Sequence, residues 1–181
     1  AKLVAVLAYT ADRHVPGTST AFLKGREQGL ADIYGVDQVK GPRLPLVQVP
    51  TTSGTGSEVT PVSIVTTGEN TKMGVVSSKI MADLAVLDAE LTIGLPAHIT
   101  AATGIDAMVH AIEAYTSAIK KNPMSDALAR QALKLLGGNI ITACKDGGNL
   151  EARRAMLTGA MLAGASFANS PVGAVHALAY P

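Results

Sequence analysis

The sequence predicts an α/β unit over residues 1–95 followed by an all-helical unit over residues 96–181. Short apolar runs rich in β-branched residues, bounded by Gly and Pro, fill the first part and are typical of strands. Beyond Leu95-Pro96 the apolar residues recur with helical periodicity over long stretches. The composition, 48% hydrophobic and 16% charged, fits a folded chain with a large apolar core.

The first part of the chain alternates short elements with turns. Residues 1–9 read as the end of a helix, and a second short helix is expected within 21–33. Glycine and proline pairs separate the runs that follow, and Gly68-Glu69-Asn70 is a plausible hairpin turn. Strands are expected at 44–50, 57–68 and 71–78 and within 82–91.

The second part of the chain carries long amphipathic patterns. Pro96 and Pro123 stand where two of the helices should begin, because proline is favoured in a first helical turn. Ser125 is the expected N-cap of one of them. Gly137-Gly138 should weaken or end that helix. The helices are expected at 96–118, 124–143 and 150–168.

Charge and composition exclude several classes of function. The net charge is +1 with no basic stripe, and aromatic residues make up 3% of the chain. Nucleic acid is therefore not an expected partner. No apolar run reaches the ~18 residues that a membrane helix needs. The one cysteine, Cys144, excludes an internal disulfide, which suits a reducing compartment and leads us to expect a cytoplasmic protein.

A glycine- and threonine-rich turn follows the first predicted strand. The segment PTTSGTGSE, residues 50–58, offers backbone N–H groups and hydroxyls that can hold phosphate or ribose oxygens. It matches neither a P-loop nor GxGxxG. The alternative is a tight turn whose hydroxyls cap the local backbone. Lys72, just downstream, could contact the same ligand or remain a solvated charge.

Two polar residues interrupt the first long helix. Asp106 and His110 lie four residues apart, so both side chains share one face with Cβ atoms ~6 Å apart. Carboxylate and neutral imidazole are ligands for first-row divalent ions, and His176 is a third candidate in another apolar helical segment. The alternative is a carboxylate–imidazole hydrogen bond inside the core. The apolar neighbours expected to keep water away are Ile105, Met108, Val109 and Ile112.

Two glutamates lie close in sequence to these candidate residues. Glu58 ends the glycine-rich turn, and Glu113 follows His110 by three residues. Glu113 should be rotated well away from the Asp106–His110 face, and both glutamates are expected to be structural. A metal-dependent hydrolase would need a general base beside the metal, and Glu113 is not expected to supply it.

The motifs together resemble a known family. PTTSGTGSEVT, TKMGVVS, DAELTIGLP, AATGIDAMVHAIEAY and HALAYP look like segments of the iron-containing (group III) alcohol dehydrogenases, in the same order along nearly the whole chain. The resemblance implies that residues 1–95 are the C-terminal part of an α/β, Rossmann-like dinucleotide-binding domain. Residues 96–181 would be the N-terminal part of an all-helical metal-binding domain.

The resemblance also implies roles for individual residues. The metal, Fe²⁺ with Zn²⁺ possible, would be held by Asp106, His110 and His176. Tyr180 would lie in the substrate pocket, as a hydrogen-bonding or a packing residue. NAD or NADP would be contacted by Thr51, Thr52, Thr55, Lys72 and, on weaker similarity, Leu91. The implied reaction is hydride transfer between a small alcohol or aldehyde and the nicotinamide, in an enzyme that we expect to be a homo-oligomer.

The chain departs from the family pattern in three places. The glycine-rich pyrophosphate motif would precede residue 1, and a fourth metal-ligating His would follow Pro181. Many members have His where Tyr180 stands. We therefore expect a fragment, the middle portion of a longer enzyme, which alone is a poor catalyst or none. The alternatives are a maleylacetate reductase-like or hydroxyacid–oxoacid transhydrogenase activity, or an inactive truncated chain.

Overall fold

The chain divides into two compact units. The computed structural model describes residues 2–10, 28–68, 71–171 and 173–179. The first unit comprises Ala1–Gln48 and Pro61–Leu84, and the second comprises Val49–Thr60 and Ala85–Pro181. The glycine-rich turn and the segment after residue 84 thus belong to the unit that contains the long helices.

The first unit is built on a small mixed sheet. Its elements are α1 (Lys2–Thr10), β1 (Gly35–Val36), β2 (Val47–Gln48), β3 (Val62–Thr67) and β4 (Thr71–Val76), and β5 (Leu84–Ala85) begins at its last residue. The central strand, β4, pairs in parallel with β1 and antiparallel with β3, with Val62 opposite Val76 and Thr67 opposite Thr71. A separate pairing joins β2 and β5. The buried core comprises Val6, Ile33, Val39, Val75 and Ile80.

The hairpin of β3 and β4 and the first helix confirm the sequence prediction, but the other strands are shorter than expected. The run 44–50 forms only Val47–Gln48, since prolines at both ends remove backbone donors from the ladder. The start of 57–68 is a 3-10 helix, and 82–91 ends in another, where the Asp88 carboxylate accepts the Glu90 N–H. Of the helix expected within 21–33, only the 3-10 turn Leu30–Ile33 falls among the described residues.

Arg43 ties together the loops of the first unit. Its guanidinium donates to the carbonyl oxygens of Leu44, Lys79 and Met81 and to both carboxylate oxygens of Asp83. The hydrogen bonds from Arg43 lower the pKa of Asp83 to about 2. All five guanidinium N–H groups thus have acceptors within the fold, so this arginine is structural.

The second unit packs three long helices around a core of small side chains. They are α2 (Ala97–Thr116), α3 (Pro123–Lys145) and α4 (Leu150–Asn169), with a short α5 (Ala174–Ala179). All three long helices confirm the sequence prediction. Alanines on the facing sides allow close approach of the helices. The core comprises Ala107, Ala111, Ala129, Ala132, Leu136, Ala143, Ala152, Met156, Ala160 and Ala163. Within the described ranges, no helix has the length and apolar character for a membrane crossing.

The helix ends correct two expectations. Asn122, not Ser125, caps α3, because its side-chain oxygen accepts the Ser125 N–H at 2.9 Å. Ser125 is buried and its carbonyl oxygen accepts from the Ser166 hydroxyl. Gly137 and Gly138 do not end α3, which runs on to Lys145, since buried side chains on either side of the glycines hold it against α2 and α4.

A fully buried arginine stabilises the start of the helical unit through hydrogen bonds to three segments. Arg153 on α4 is 2% exposed. Its guanidinium donates to the Gly147 and Leu95 carbonyl oxygens and to the Thr100 hydroxyl. The segment that precedes α2, the first turns of α2 and the α3–α4 loop are therefore joined through one side chain. Removing the guanidinium leaves these acceptors without a donor in a dry site.

We expect Arg153→Met to lower the free energy of unfolding by roughly 3 kcal/mol, because several buried polar groups lose their partner at once. Arg154→Met is the matched control, since the neighbouring Arg154 is exposed and its replacement should change stability by less than about 0.5 kcal/mol. Urea denaturation followed by circular dichroism measures both. Equal effects of the two substitutions would contradict the assigned role of Arg153.

Candidate active site

Three potential metal ligands converge in the second unit. Asp106 and His110 lie on α2 and His176 lies on α5, and one ligand atom from each falls within 4.8 Å of the others. The Nδ1 atom of His110 is 3.9 Å from Asp106 Oδ2, and the Nε2 atom of His176 is 3.5 Å from Asp106 Oδ1. The structure therefore brings together all three residues predicted as metal ligands.

Hydrogen bonds at the end of α4 and the start of α5 place His176 beside α2. The buried hydroxyl of Ser170 donates to the Ala114 carbonyl oxygen at 2.8 Å, which fixes the turn after α4 beside α2. The Glu113 carboxylate then accepts the Val175 N–H at 2.7 Å and lies 2.5 Å from His176 Nδ1. The i, i+4 spacing on α2 brings Asp106 and His110 together, and contacts between residues far apart in sequence add His176.

The burial of the three side chains is unequal. The side chains of His110 and His176 are 8% and 9% exposed, whereas that of Asp106 is 43% exposed. The expectation of a buried carboxylate among apolar neighbours is therefore wrong. Ile105 and Ile112 are themselves half exposed, because α2 turns Ala107 and Ala111 towards the core and so places both isoleucines on its outer face.

The His110 ring is held between two other rings. Phe167 stacks on it with centroids 4.5 Å apart, and His176 stacks on it at 4.3 Å with an interplanar angle of 15°. Burial lowers the pKa of His110, and the nearby His176 lowers it further, against the opposing effect of the Asp106 charge. The ring is consequently a neutral imidazole at neutral pH, the form that ligates metals.

The donor set fits a divalent cation. Nδ1 of His110 is buried and has no hydrogen-bond partner among the described residues. At 3.9 Å from Asp106 it is too far for the carboxylate–imidazole hydrogen bond that was the alternative interpretation. A neutral imidazole nitrogen without a partner, a second imidazole and a partly exposed carboxylate are the chemistry of a first-row divalent metal site.

Glu113 belongs to this site, contrary to the expectation that it lies well away from it. Its side chain is 8% exposed and contacts His176. Burial raises the pKa of Glu113, but hydrogen bonds from His176, Val175 and Gly173 lower it by more, and the net shift is downward. Glu113 is therefore ionised at neutral pH. The sequence could not place it, because its partner lies 63 residues away.

The glycine-rich turn packs directly against α2 and α4. Gly56 has a φ of +57°, and a Cβ atom there would lie 2.6 Å from the Gly164 Cα atom on α4. A Cβ atom on Gly54 would lie 2.8 Å from the Thr103 Cβ atom on α2. An interaction with the Gly54 backbone also acts to raise the pKa of the His110 ring, against the larger effect of burial. The turn thus belongs to the same unit as the three candidate ligands.

The residues predicted to contact the nicotinamide cofactor lie in both units. Thr51 and Thr55 are exposed and Thr52 is half-buried in the turn, where the Thr55 hydroxyl also accepts the Ser57 N–H at 3.3 Å. Leu91 is half exposed in the 3-10 helix Ala89–Thr92 of the second unit. Lys72 is exposed on β4 of the first unit. Tyr180 lies outside the described residues.

Comparison with known proteins identifies the family. The model described as iron-containing alcohol dehydrogenase matches residues 1–89. The model described as the C-terminal part of the Fe-containing alcohol dehydrogenase family matches residues 100–181. The chain belongs to the iron-containing alcohol dehydrogenase family. This confirms the resemblance seen in the motifs, and the α/β portion followed by a helical portion is the fold of that family.

Individual relatives agree with the family models. Sulfoacetaldehyde reductase of Bilophila wadsworthia (strain 3_1_6) is 45% identical over 88% of this chain and 41% of its own length. A crystal structure of 1,3-propanediol oxidoreductase matches with a TM-score of 0.84 and 37% identity, over 98% of this chain and 42% of that chain.

A third relative is described in complex with NAD⁺. It is sulfoacetaldehyde reductase from Bifidobacterium kashiwanohense, with a TM-score of 0.76 and 35% identity over 86% of this chain and 42% of that one. The chain thus spans about two fifths of the length of the relatives it matches. Their names are those of alcohol dehydrogenases and aldehyde reductases and do not favour the maleylacetate reductase or transhydrogenase alternative.

We expect Gly164→Ala to lower the free energy of unfolding by roughly 2 kcal/mol, because its Cβ atom would lie 2.7 Å from the Gly56 carbonyl oxygen and push the turn off α4. Gly137→Ala is the control: it is also helical, meets nothing within 4 Å, and should add about 0.5–1 kcal/mol through helix propensity. Thermal denaturation compares the two, and a neutral Gly164→Ala would show that the turn is not seated as described.

Proposed function

We propose that this chain carries the metal-binding and nicotinamide-binding parts of an iron-dependent alcohol dehydrogenase, an NAD(P)-dependent oxidoreductase. The proposed reaction is hydride transfer between a small alcohol or aldehyde and the nicotinamide. The observation that supports it most is the convergence of Asp106, His110 and His176 in a chain that belongs to the iron-containing family.

The proposed metal ligands are the Asp106 carboxylate and the imidazoles of His110 and His176. When bound, the metal would act as a Lewis acid that polarises the alcohol or carbonyl oxygen of the substrate. The ligand set itself suits Fe²⁺, Zn²⁺, Mn²⁺ or Co²⁺, and Fe²⁺ is proposed because of the family. Stacking of Phe167 on His110 keeps that ring in one orientation and one side of the site dry, which favours a fixed ligand geometry.

The cofactor is proposed to bind along the glycine- and threonine-rich turn. Thr51, Thr52 and Thr55 present hydroxyls and backbone N–H groups suited to the oxygens of a dinucleotide. Because Gly54 of the turn packs on α2 against Thr103, three residues before Asp106, a nicotinamide held there would lie close to the proposed metal. Such proximity places the hydride donor and acceptor carbons together and excludes water.

Three further residues complete the proposal. Lys72 would contact the cofactor ribose, and Leu91, on weaker similarity, would contact the cofactor as well. Tyr180 would hydrogen-bond or pack in the substrate pocket. The bound substrate would be a small alcohol or aldehyde, as the names of the reported relatives suggest. We also propose a homo-oligomeric, cytoplasmic enzyme, as expected from the sequence.

An anaerobic Fe²⁺ titration tests the metal site. We expect one ion per chain, and we expect His110→Ala and Asp106→Asn to weaken binding at least tenfold, because each removes a ligand or its charge. His98→Ala is the control: His98 lies on the same helix but is exposed, and its loss should leave the affinity unchanged. Equal weakening by His98→Ala would mean that the titration reports adventitious surface sites.

Hydride transfer is tested with the Fe²⁺-loaded chain by following nicotinamide absorbance. The panel comprises primary alcohols, 1,3-propanediol and sulfoacetaldehyde, each with NAD(H) and NADP(H). We expect any turnover of this chain alone to be slow, to require the metal and to fall at least tenfold in Thr52→Val, because the turn loses a hydroxyl proposed to contact the cofactor. Turnover that survives metal removal would overturn the proposed chemistry.

A further inference from the structure

Both carboxylate oxygens of Glu113 contact the same short segment of chain, at the start of α5. Oε1 accepts the Val175 N–H at 2.7 Å, and Oε2 lies 2.5 Å from His176 Nδ1. The segment approaches so closely that a Cβ atom on Gly173 would lie 3.2 Å from Oε1. One buried side chain of α2 thus holds both the backbone at the start of α5 and the imidazole that α5 carries.

These contacts determine which nitrogen of His176 carries the proton. A carboxylate can only accept hydrogen bonds, so a contact of 2.5 Å with Oε2 requires a proton on Nδ1. The lone pair of the neutral ring then lies on Nε2, the nitrogen 3.5 Å from Asp106 Oδ1. Metal-ligating histidines commonly donate their other N–H group to a carboxylate or carbonyl in this manner, which fixes both tautomer and ring orientation.

We propose that Glu113 is a positioning residue that fixes His176 as its Nδ1–H tautomer and turns Nε2 towards the Asp106 carboxylate. The tautomer and the orientation are properties of the chain itself. The further statement that Nε2 ligates a metal rests on the proposed function. Glu113 touches neither substrate nor cofactor in this account, and it acts through His176.

A merely structural role would give a different result. Suppose that Glu113 only anchored α5 through the Val175 N–H. Replacing Glu113 would then leave the tautomer of His176 unchanged as long as α5 stayed folded. The tautomer of His176 therefore separates positioning from anchoring. Glu113→Gln is informative because its amide offers one oxygen for two donors, the Val175 N–H and the His176 Nδ1–H, while Glu113→Ala offers none.

The experiment is a long-range ¹H–¹⁵N correlation spectrum of the metal-free chain, at a pH where His176 is neutral. We expect one dominant Nδ1–H tautomer in the wild type. The Nε2–H form should become substantial in Glu113→Gln and predominant in Glu113→Ala. Glu151→Gln is the matched control, since Glu151 is exposed on α4 and its replacement should leave the spectrum of His176 unchanged. Circular dichroism checks that each variant is folded.

Two results would overturn the proposal. One is a wild-type chain in which His176 is the Nε2–H tautomer. The other is an unchanged tautomer in Glu113→Gln, with Glu113→Ala either unchanged or unfolded. A Co²⁺ titration adds a second readout, in which Glu113→Ala should bind 10- to 100-fold more weakly than the wild type. If the wild type binds no Co²⁺ but the tautomer shifts as expected, the metal assignment fails and the positioning role stands.

Discussion

The contact between Glu113 and the start of α5 is the constraint on which the candidate site depends. Asp106 and His110 share a face of α2 whatever else the chain does, because they are four residues apart on one helix. His176 comes from a separate helix, and the Glu113 carboxylate holds it beside them by accepting the Val175 N–H and contacting the His176 ring. The buried Ser170 hydroxyl fixes the preceding turn against α2. α2 alone therefore presents two of the candidate ligands, and the contacts of α5 supply the third.

The same unit also holds the glycine-rich turn, and this explains why its glycines are needed. Gly56 and Gly164 bring two backbones into contact that any side chain would separate, and Gly54 lies against Thr103. The turn that is proposed to hold the cofactor is thereby fixed on the two helices that carry or adjoin the proposed metal ligands. Small residues here would set the distance between the two proposed binding sites, in addition to permitting an unusual φ at Gly56.

The sequence predicted the parts of the site that local geometry and motif resemblance determine. The three long helices, the β3–β4 hairpin and the pairing of Asp106 with His110 follow from periodicity and spacing. An imidazole that interrupts an apolar segment also makes His176 a candidate. The sequence does not predict the position of Glu113, because its contacts depend on where α5 packs, and no local pattern on α2 indicates that. The exposure of Asp106 was missed for a related reason: apolar neighbours in sequence such as Ile105 and Ile112 lie on the outer face of the helix.

Extended X-ray absorption fine structure of the anaerobically Fe²⁺-loaded chain tests the central claim most directly, because it counts the imidazoles bound to the metal. The account predicts two imidazole ligands and at least one further oxygen ligand per iron, with one imidazole lost in His176→Ala. A wild-type spectrum that shows one imidazole or none, or a spectrum that His176→Ala leaves unchanged, would contradict the claim that α5 completes the site on α2.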